Sequence, residues 1–179
     1  MDEKKMQDAL EKSEEKLRII ADNAFDWEYW TAPDSSFVYT SLSCKRITGY
    51  DAEDFMHDKE LLERIIVPED RPAWFSHREE VLKYKLPSAI EFNITLLNGK
   101  TCRILHICQP VFDKKGSYLG IRASNRDITE RKKAEGMLLE NEAKYRLLVE
   151  NLPQRVFFKD RNLIYLSCNK NYARDIKIE

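Results

Sequence analysis

GIRASNRDITERKK, residues Gly120–Lys133, is the stretch that decides the fold. Its first half alternates apolar and polar residues, which is typical of a half-buried strand, and the charged pattern after it is typical of a helix. Asp127 and Thr129 are residue types that cap helix N-termini, and Asp127 with Glu130 has the spacing of a capping box. The sequence therefore predicts a short joint between strand and helix, made of Asp127, Ile128, Thr129 and Glu130.

The same stretch resembles the C-terminal motif of PAS domains, small sensory modules whose last strand ends in a DIT-type sequence and feeds a signalling helix. The resemblance covers Glu14 to Lys133, and a second, incomplete copy follows it. It implies an α+β fold with a five-stranded antiparallel sheet of order 2-1-5-4-3, short helices on one face and amphipathic helices at both ends. Capping chemistry alone would favour an ordinary helix start, so the signalling role depends on the resemblance.

Composition sets the broad class of the protein. Of 179 residues, 42% are hydrophobic and 34% charged, with a net charge of −1, which is typical of a soluble globular protein with charged helices. Lysines alternate with glutamates instead of forming a basic face, so we predict no nucleic-acid partner. The sequence contains no run of about 20 apolar residues that would span a bilayer, and its first residues, MDEKKMQD, lack the apolar core of a signal peptide. We predict a cytoplasmic segment without membrane contact.

We divide the chain into four parts: an N-terminal helix (1–22), a PAS domain (23–129), a linker helix (130–151) and a truncated second PAS domain (152–179). Because the second copy stops in mid-pattern, we expect a longer parent protein, whether or not that parent is membrane-anchored. In the first helix Leu10, Leu17 and Ile20 follow heptad spacing, which predicts a coiled-coil seam and a homodimer. The seam recurs in the linker helix, as an internal repeat would.

Within the PAS domain the pattern predicts a hairpin, short helices, a longer helix and three long strands. Asp70 and Pro72 are start signals for the longer helix. The predicted ranges are Phe25–Trp30, Phe37–Ser41, Leu42–Thr48, Ala52–Ile66, Asp70–Tyr84, Ser88–Leu97, Lys100–Phe112 and Tyr118–Arg126. The predicted apolar face of the longer helix is Trp74, Phe75, Val81 and Leu82. In the Ser88–Leu97 strand the predicted apolar face is Ile90, Phe92, Ile94 and Leu96.

The Lys100–Phe112 strand is apolar on both sides, which predicts cover on both faces, by the short helices and by the N-terminal helix or a partner. In residues 152–179 a second hairpin and a short helix are predicted. Apolar residues of that hairpin lack the strands that would bury them, so we expect no independent domain there.

Aromatic residues near the expected cavity form the candidate ligand pocket, namely Trp27, Tyr39, Trp74, Phe92 and His106. They are consistent with a small apolar or aromatic ligand, but the filling of an ordinary core is the interpretation we favour.

The cofactor is unknown. The position that holds haem in some PAS domains is Trp74 here, and His77 lies about 5 Å further along the helix. The flavin-reactive cysteine of light sensors has no counterpart near Trp74, so we expect neither haem nor a flavin adduct.

The cysteines, Cys44, Cys102, Cys108 and Cys168, show no CxxC pair and no metal-ligand spacing with the histidines. We therefore predict reduced structural thiols and no metal site. No nucleophile elbow, phosphate-binding loop or other catalytic motif is present, so the chain itself is not expected to be an enzyme.

The function predicted from the resemblance is a sensory and dimerising module. It would relay the state of a small-molecule ligand or partner through the linker helix to a downstream output domain. A histidine kinase is the output domain expected first, with a cyclic-dinucleotide enzyme next. The alternative is a structural spacer or protein-interaction module that senses nothing.

Overall fold

The computed structural model describes the backbone of residues 2–176, without the side chains of residues 2–5, 8–10, 14, 17 and 18. The chain divides into two compact units, Met1–Thr129 and Glu130–Glu179. The elements of the first unit are α1 (Asp2–Asp22), β1 (Trp27–Thr31), β2 (Phe37–Thr40), α2 (Ser43–Thr48), α3 (Ala52–His57), α4 (Leu61–Ile65), α5 (Arg71–Tyr84), β3 (Ser88–Thr95), β4 (Thr101–Phe112) and β5 (Tyr118–Asp127). Those that follow are α6 (Thr129–Asn151), β6 (Phe157–Lys159), β7 (Tyr165–Cys168) and α7 (Lys170–Asp175).

The first unit contains one antiparallel sheet of five strands in the order β2-β1-β5-β4-β3, which confirms the predicted topology. Local turn chemistry explains the two hairpins that join β3 to β4 and β4 to β5. Asn98 accepts a hydrogen bond from the backbone N–H of Lys100, and Gly99 has the positive φ that this turn needs. Asp113 accepts from the backbone N–H groups of Lys115 and Ser117 in the next turn. These turns place β3, β4 and β5 side by side.

The core lies on one face of this sheet, beneath the short helices. Alternate residues of β3 and β4 point into it and are almost completely buried. From the helices Phe55, Leu62, Ile65, Trp74 and Val81 complete the cluster. This arrangement confirms the expected apolar face of β3 and one of the two apolar faces of β4.

The opposite face of β4 is open in this chain. Ile107 is 51% exposed, and Leu105 and Val111 are half-buried. Among the side chains that the structure describes, α1 reaches the sheet through Asp22, which accepts a hydrogen bond from the Tyr39 hydroxyl over 3.3 Å. Ile20 and Ala21 of α1 line a hollow on this side of the sheet together with Val111 at the end of β4. The described part of α1 leaves Ile107 exposed, and cover of this face by a partner stays a prediction.

Helix α5 departs from its prediction in two respects. The carboxylate of Asp70 does not cap the helix but accepts from the backbone and side-chain N–H groups of Asn93, at 2.6 and 2.9 Å. The buried residues are Trp74, His77 and Val81, which share one side of a helix with 3.6 residues per turn. Phe75 was predicted to face the core but is 44% exposed, because its position points about 100° away from Trp74.

The second unit contains the predicted hairpin and short helix. Asn169 is fully buried, caps α7 by accepting from the Tyr172 N–H, and donates to the carbonyls of Val149 and Gln154. Most apolar residues of the hairpin are exposed, in agreement with the missing core. They are Phe157, Phe158, Leu163, Ile164 and Leu166, which are between 46% and 74% exposed.

We expect the backbone amides of Phe157–Leu166 to exchange rapidly with solvent in dilute protein, because a lone hairpin with an exposed apolar surface is marginally stable. Hydrogen exchange measured by mass spectrometry checks this, with β4 of the same molecule as the protected reference. Slow exchange of the hairpin in a demonstrated monomer would contradict the expectation.

Within residues 2–176, none of the helices combines the length and the apolar character that a bilayer crossing requires.

Candidate functional site

A small cavity lies between α5 and the core face of the sheet. Its volume is about 50 Å³, enough for one or two molecules of the size of water. The wall includes Tyr29 from β1, Trp74 and His77 from α5, and His106 and Cys108 from β4. Ligand pockets for drug-sized molecules measure about 300–1,000 Å³, so neither haem nor flavin fits here without a large rearrangement.

The five residues predicted to form a ligand pocket are placed differently. Trp74 and His106 line the cavity. Trp27 and Phe92 are buried in the core but belong to its filling, as the ring contact of Trp27 with Phe55 at 4.6 Å illustrates. Tyr39 pairs with Trp30 across the β1–β2 register and lies towards α1, on the other face of the sheet.

Sequence reasoning missed a cluster of three buried donors in the cavity wall. One ligand atom from each of His77, His106 and Cys108 lies within 4.8 Å of the other two. The Cys108 Sγ is 3.4 Å from the His77 Nε2. The signal was present in part, because His106 and Cys108 alternate on one face of a strand. His77 lies 31 residues before Cys108 and forms no sequence motif with it. Only the packing of α5 against β4 brings the two side chains together.

Each imidazole of the cluster has a second partner. The Nδ1 atom of His106 is 2.8 Å from the Oδ1 atom of Asn125 on β5. The Nδ1 atom of His77 is 3.4 Å from the Ser88 hydroxyl. These contacts leave the Nε2 atom of each ring on the side away from its Nδ1 partner, and they restrict how the rings can turn.

Burial sets the protonation of the cluster. It lowers the pKa of His106 to about 4, a shift that the bond to Asn125 opposes and the neighbouring His77 reinforces. Burial also lowers the pKa of His77 and raises the pKa of the Cys108 thiol to about 11. The pKa of Tyr29, which faces His106 from β1, is raised by burial as well. These four side chains are thus uncharged near neutral pH, whereas Lys59 and the ion pair of Glu63 with Arg78 supply the charges of the cavity wall.

This protonation predicts a loss of stability in acid. Between pH about 4 and 6.5 the unfolded chain binds a proton at His106 that the folded chain does not, so lowering the pH through this window favours unfolding. At about 1.4 kcal/mol for each pKa unit, the loss amounts to about 3 kcal/mol.

Urea unfolding of the metal-free protein at a series of pH values measures this loss of unfolding free energy. His106→Phe should remove most of this slope and His57→Asn, at an exposed position, should keep it; equal slopes would contradict the assignment.

The joint at the end of β5 is tied to β4. The backbone N–H of Ile128 donates to the Arg103 carbonyl over 2.9 Å, and the Arg103 N–H donates to the Thr129 hydroxyl over 2.8 Å. Ile128 is buried. The Asp127 carboxylate accepts from the Thr129 N–H, and Glu130 pairs with Lys133. Thr129 is therefore the first helical residue and a clamp to β4, which differs from its predicted role as a helix cap.

Two buried donors near the cavity have no hydrogen-bond partner among the described residues. They are the indole N–H of Trp74, whose side chain is almost fully buried, and the amide Nδ2 of Asn125. An unpaired buried donor is costly, and such groups often mark a place for water or a ligand.

Comparison with known proteins shows what the chain is similar to. The model of the PAS fold family matches residues 37–125. An uncharacterized protein of Sinorhizobium fredii, y4lL, is 31% identical over 134 residues, which are 75% of this chain and 16% of that protein. The methyl sulfide methyltransferase-associated sensor of Methanosarcina acetivorans is 35% identical over 130 residues, which are 72% of this chain and 12% of the sensor. The chain thus spans less than a fifth of the length of these curated relatives.

Solved structures support the same fold. A sensory box histidine kinase/response regulator from Burkholderia thailandensis aligns with a TM-score of 0.55 at 20% identity. The alignment covers 73% of this chain and 98% of that one. At this level of identity the likeness concerns the fold alone.

Proposed function

We propose that the domain with the PAS-like fold is a PAS domain that serves as the sensory and dimerising module of a longer signal-transduction protein. The input is a small ligand or a partner bound at the core face of the sheet. The output leaves through the joint at Asp127–Glu130 and the helix α6. Catalysis belongs to other parts of the longer protein.

The observation that carries this proposal is the double role of β4. Its residues His106 and Cys108 line the cavity, and the backbone of its residue Arg103 accepts a hydrogen bond from the Ile128 N–H and donates one to the Thr129 hydroxyl. A displacement of β4 by a ligand therefore changes the position of the first turn of α6. Since a buried strand and its hydrogen-bonded neighbour move together, no flexible segment separates the two sites.

The identity of the output domain is proposed by analogy. The relative from Methanosarcina acetivorans is named as a sensor, and the aligned structure from Burkholderia thailandensis is named as a histidine kinase/response regulator. We take a histidine kinase as the first candidate for the output and a cytoplasmic location for this segment. A structural spacer is the alternative function, and the small volume of the cavity favours it.

Dimerisation is proposed through the predicted seam of α1. Leu10 and Leu17 lie outside the side chains that the structure describes, and Ile20 is 71% exposed. An exposed isoleucine at a heptad position gains from burial against a second helix. The open face of β4 would gain from the same contact.

Replacing Leu10 and Leu17 together with aspartate should convert the dimer to a monomer, because it places unpaired charges in the seam. Sedimentation equilibrium measures the change in mass. Lys16→Asp, which introduces aspartate at an exposed position outside the seam, is the control and should leave the dimer intact. If the unaltered protein stays monomeric at high concentration, the proposed seam is refuted.

Native mass spectrometry of the purified chain tests the sensory role against the spacer. A small molecule or ion retained in stoichiometric amount supports sensing. If the mass equals that of the bare chain and no compound from a ligand library shifts the melting temperature, the spacer is the better description. Loss of the retained species in a cavity variant such as Trp74→Ala would assign it to the site described above.

A further inference from the structure

The cluster of His77, His106 and Cys108 has the composition of a metal centre. Two imidazoles and one thiol are the ligand types that borderline and soft transition metal ions prefer. All three side chains are at least 92% buried, and all three line the same cavity. We propose that these residues form a three-ligand site for a tetrahedral metal ion of the Zn²⁺ class, with its fourth position open to the cavity.

The distances are close to those that coordination requires. In a tetrahedral zinc site, bonds of 2.0–2.3 Å place neighbouring ligand atoms about 3.3–3.8 Å apart. The His77 Nε2 and Cys108 Sγ atoms are already 3.4 Å apart. The remaining separations do not exceed 4.8 Å, so an adjustment of about 1 Å closes the site. His106 and Cys108 are fixed on one strand, and rotation of the His77 side chain on α5 supplies the movement.

The surroundings supply the outer contacts that metal-bound histidines usually have. The second nitrogen of a ligating histidine commonly donates to an oxygen atom, which fixes the ring and its tautomer. The Oδ1 atom of Asn125 is placed to accept from the His106 Nδ1, and the Ser88 hydroxyl faces the His77 Nδ1. Both rings therefore direct Nε2 to the metal.

The fourth position follows from charge. When Zn²⁺ binds, the Cys108 thiol releases its proton to solvent, three protein–metal bonds form, and the ion gives up bound water. Zn²⁺ with one thiolate retains one positive charge, and the carboxylate of Glu63 in the cavity wall is already paired with Arg78, so an additional anion is needed to offset the cost of burying that charge. A cavity of about 50 Å³ holds a hydroxide or a small anion as fourth ligand. The unpaired indole N–H of Trp74 in the cavity wall is a donor for that ligand.

This inference deepens the proposed function, on which it depends only for the role of the ion as input. Asn125 lies two residues before Asp127 on β5 and opposite His106 on β4. Closure of the site would fix the ring of His106 and, through the bond to its Nδ1 atom, the side chain of Asn125. Binding of the ion is thus transmitted to the strand pair that carries the joint of α6.

Titration of the metal-free 179-residue chain with Co²⁺, under a phosphine reductant, tests the site. We expect one equivalent to bind, with the d–d bands of a tetrahedral ion and a thiolate-to-cobalt charge-transfer band, and Zn²⁺ to displace it. Cys108→Ala and His77→Gln should weaken binding at least about 100-fold. Cys102→Ala removes a buried thiol from the same face of β4 but outside the cluster, and should bind as the unaltered chain does.

The site is refuted if the unaltered chain shows no saturable charge-transfer band, or if Cys108→Ala binds Co²⁺ with unchanged affinity. A melting curve of His77→Gln measured in chelator identifies a folding defect separately from a loss of binding. A native mass spectrum that shows an organic ligand and no metal would overturn this inference and leave the sensory role intact. Stoichiometric metal binding without any effect on the output of the longer protein would support the site and overturn its role as input.

Discussion

Gly120→Ala should lower the free energy of unfolding by about 2–6 kcal/mol, because strain and steric overlap each cost about 1–3 kcal/mol. Gly120 is the third residue of β5 and has a φ of 114°, which L side chains rarely adopt. A Cβ atom built there would lie 1.8 Å from the backbone carbonyl oxygen of Thr31 on β1. Backbone atoms of paired strands cannot move aside as a side chain can. For a domain with a total stability of about 5–15 kcal/mol, such a loss approaches unfolding.

Gly99→Ala is the matched control for this prediction. Gly99 has a φ of 80° but nothing within 4 Å of an added Cβ, so alanine there introduces backbone strain without overlap. Chemical denaturation of the two variants measures the difference. If Gly120→Ala lowers the free energy of unfolding by no more than Gly99→Ala does, β5 does not approach β1 at Thr31 as closely as described.

The sheet topology could be predicted because local signals and the family resemblance agreed. Asn98-Gly99 defines one hairpin, Asp113 holds the next turn, and the DIT sequence marks the end of the last strand. Alternation identified the buried face of β3 correctly, since a strand with four apolar residues in register has one favourable orientation. Periodicity over a long strand is a strong signal.

The candidate site was less predictable because it depends on contacts between distant segments. Tyr39 was placed near the pocket, but β2 is short and its register with β1 is irregular between Trp30 and Thr31, so alternation did not identify its face. The cluster around Cys108 escaped notice because His77 approaches it only through helix packing. Sequence spacing identifies metal-ligating residues that lie on one helix or strand. It does not identify sets of residues that packing brings together from different helices and strands.

One residue inserted in α6 between Gly136 and Asn141 should abolish regulation of the output in the longer protein. The seam of α6 includes Leu138, Tyr145 and Leu148, which are between 61% and 68% exposed in this chain. These side chains need a partner helix to be buried. An insertion of one residue turns everything after it by about 100°, whereas seven residues restore the heptad almost completely.

The seven-residue insertion is the control, because it lengthens the helix more and yet keeps the seam in phase. Both insertions leave the joint at Asp127–Glu130 and its bonds to Arg103 unchanged. A difference between them therefore reports the angular phase of the helix and not its length. Circular dichroism of both proteins establishes that α6 still forms.

The output activity of the longer protein, measured for both insertions with and without stimulus, tests the central claim most directly. If the PAS domain signals through the phase of α6, the one-residue insertion gives an output that no longer responds to the stimulus, and the seven-residue insertion stays regulated. Equal behaviour of the two proteins would show that α6 is a passive tether and would contradict the account.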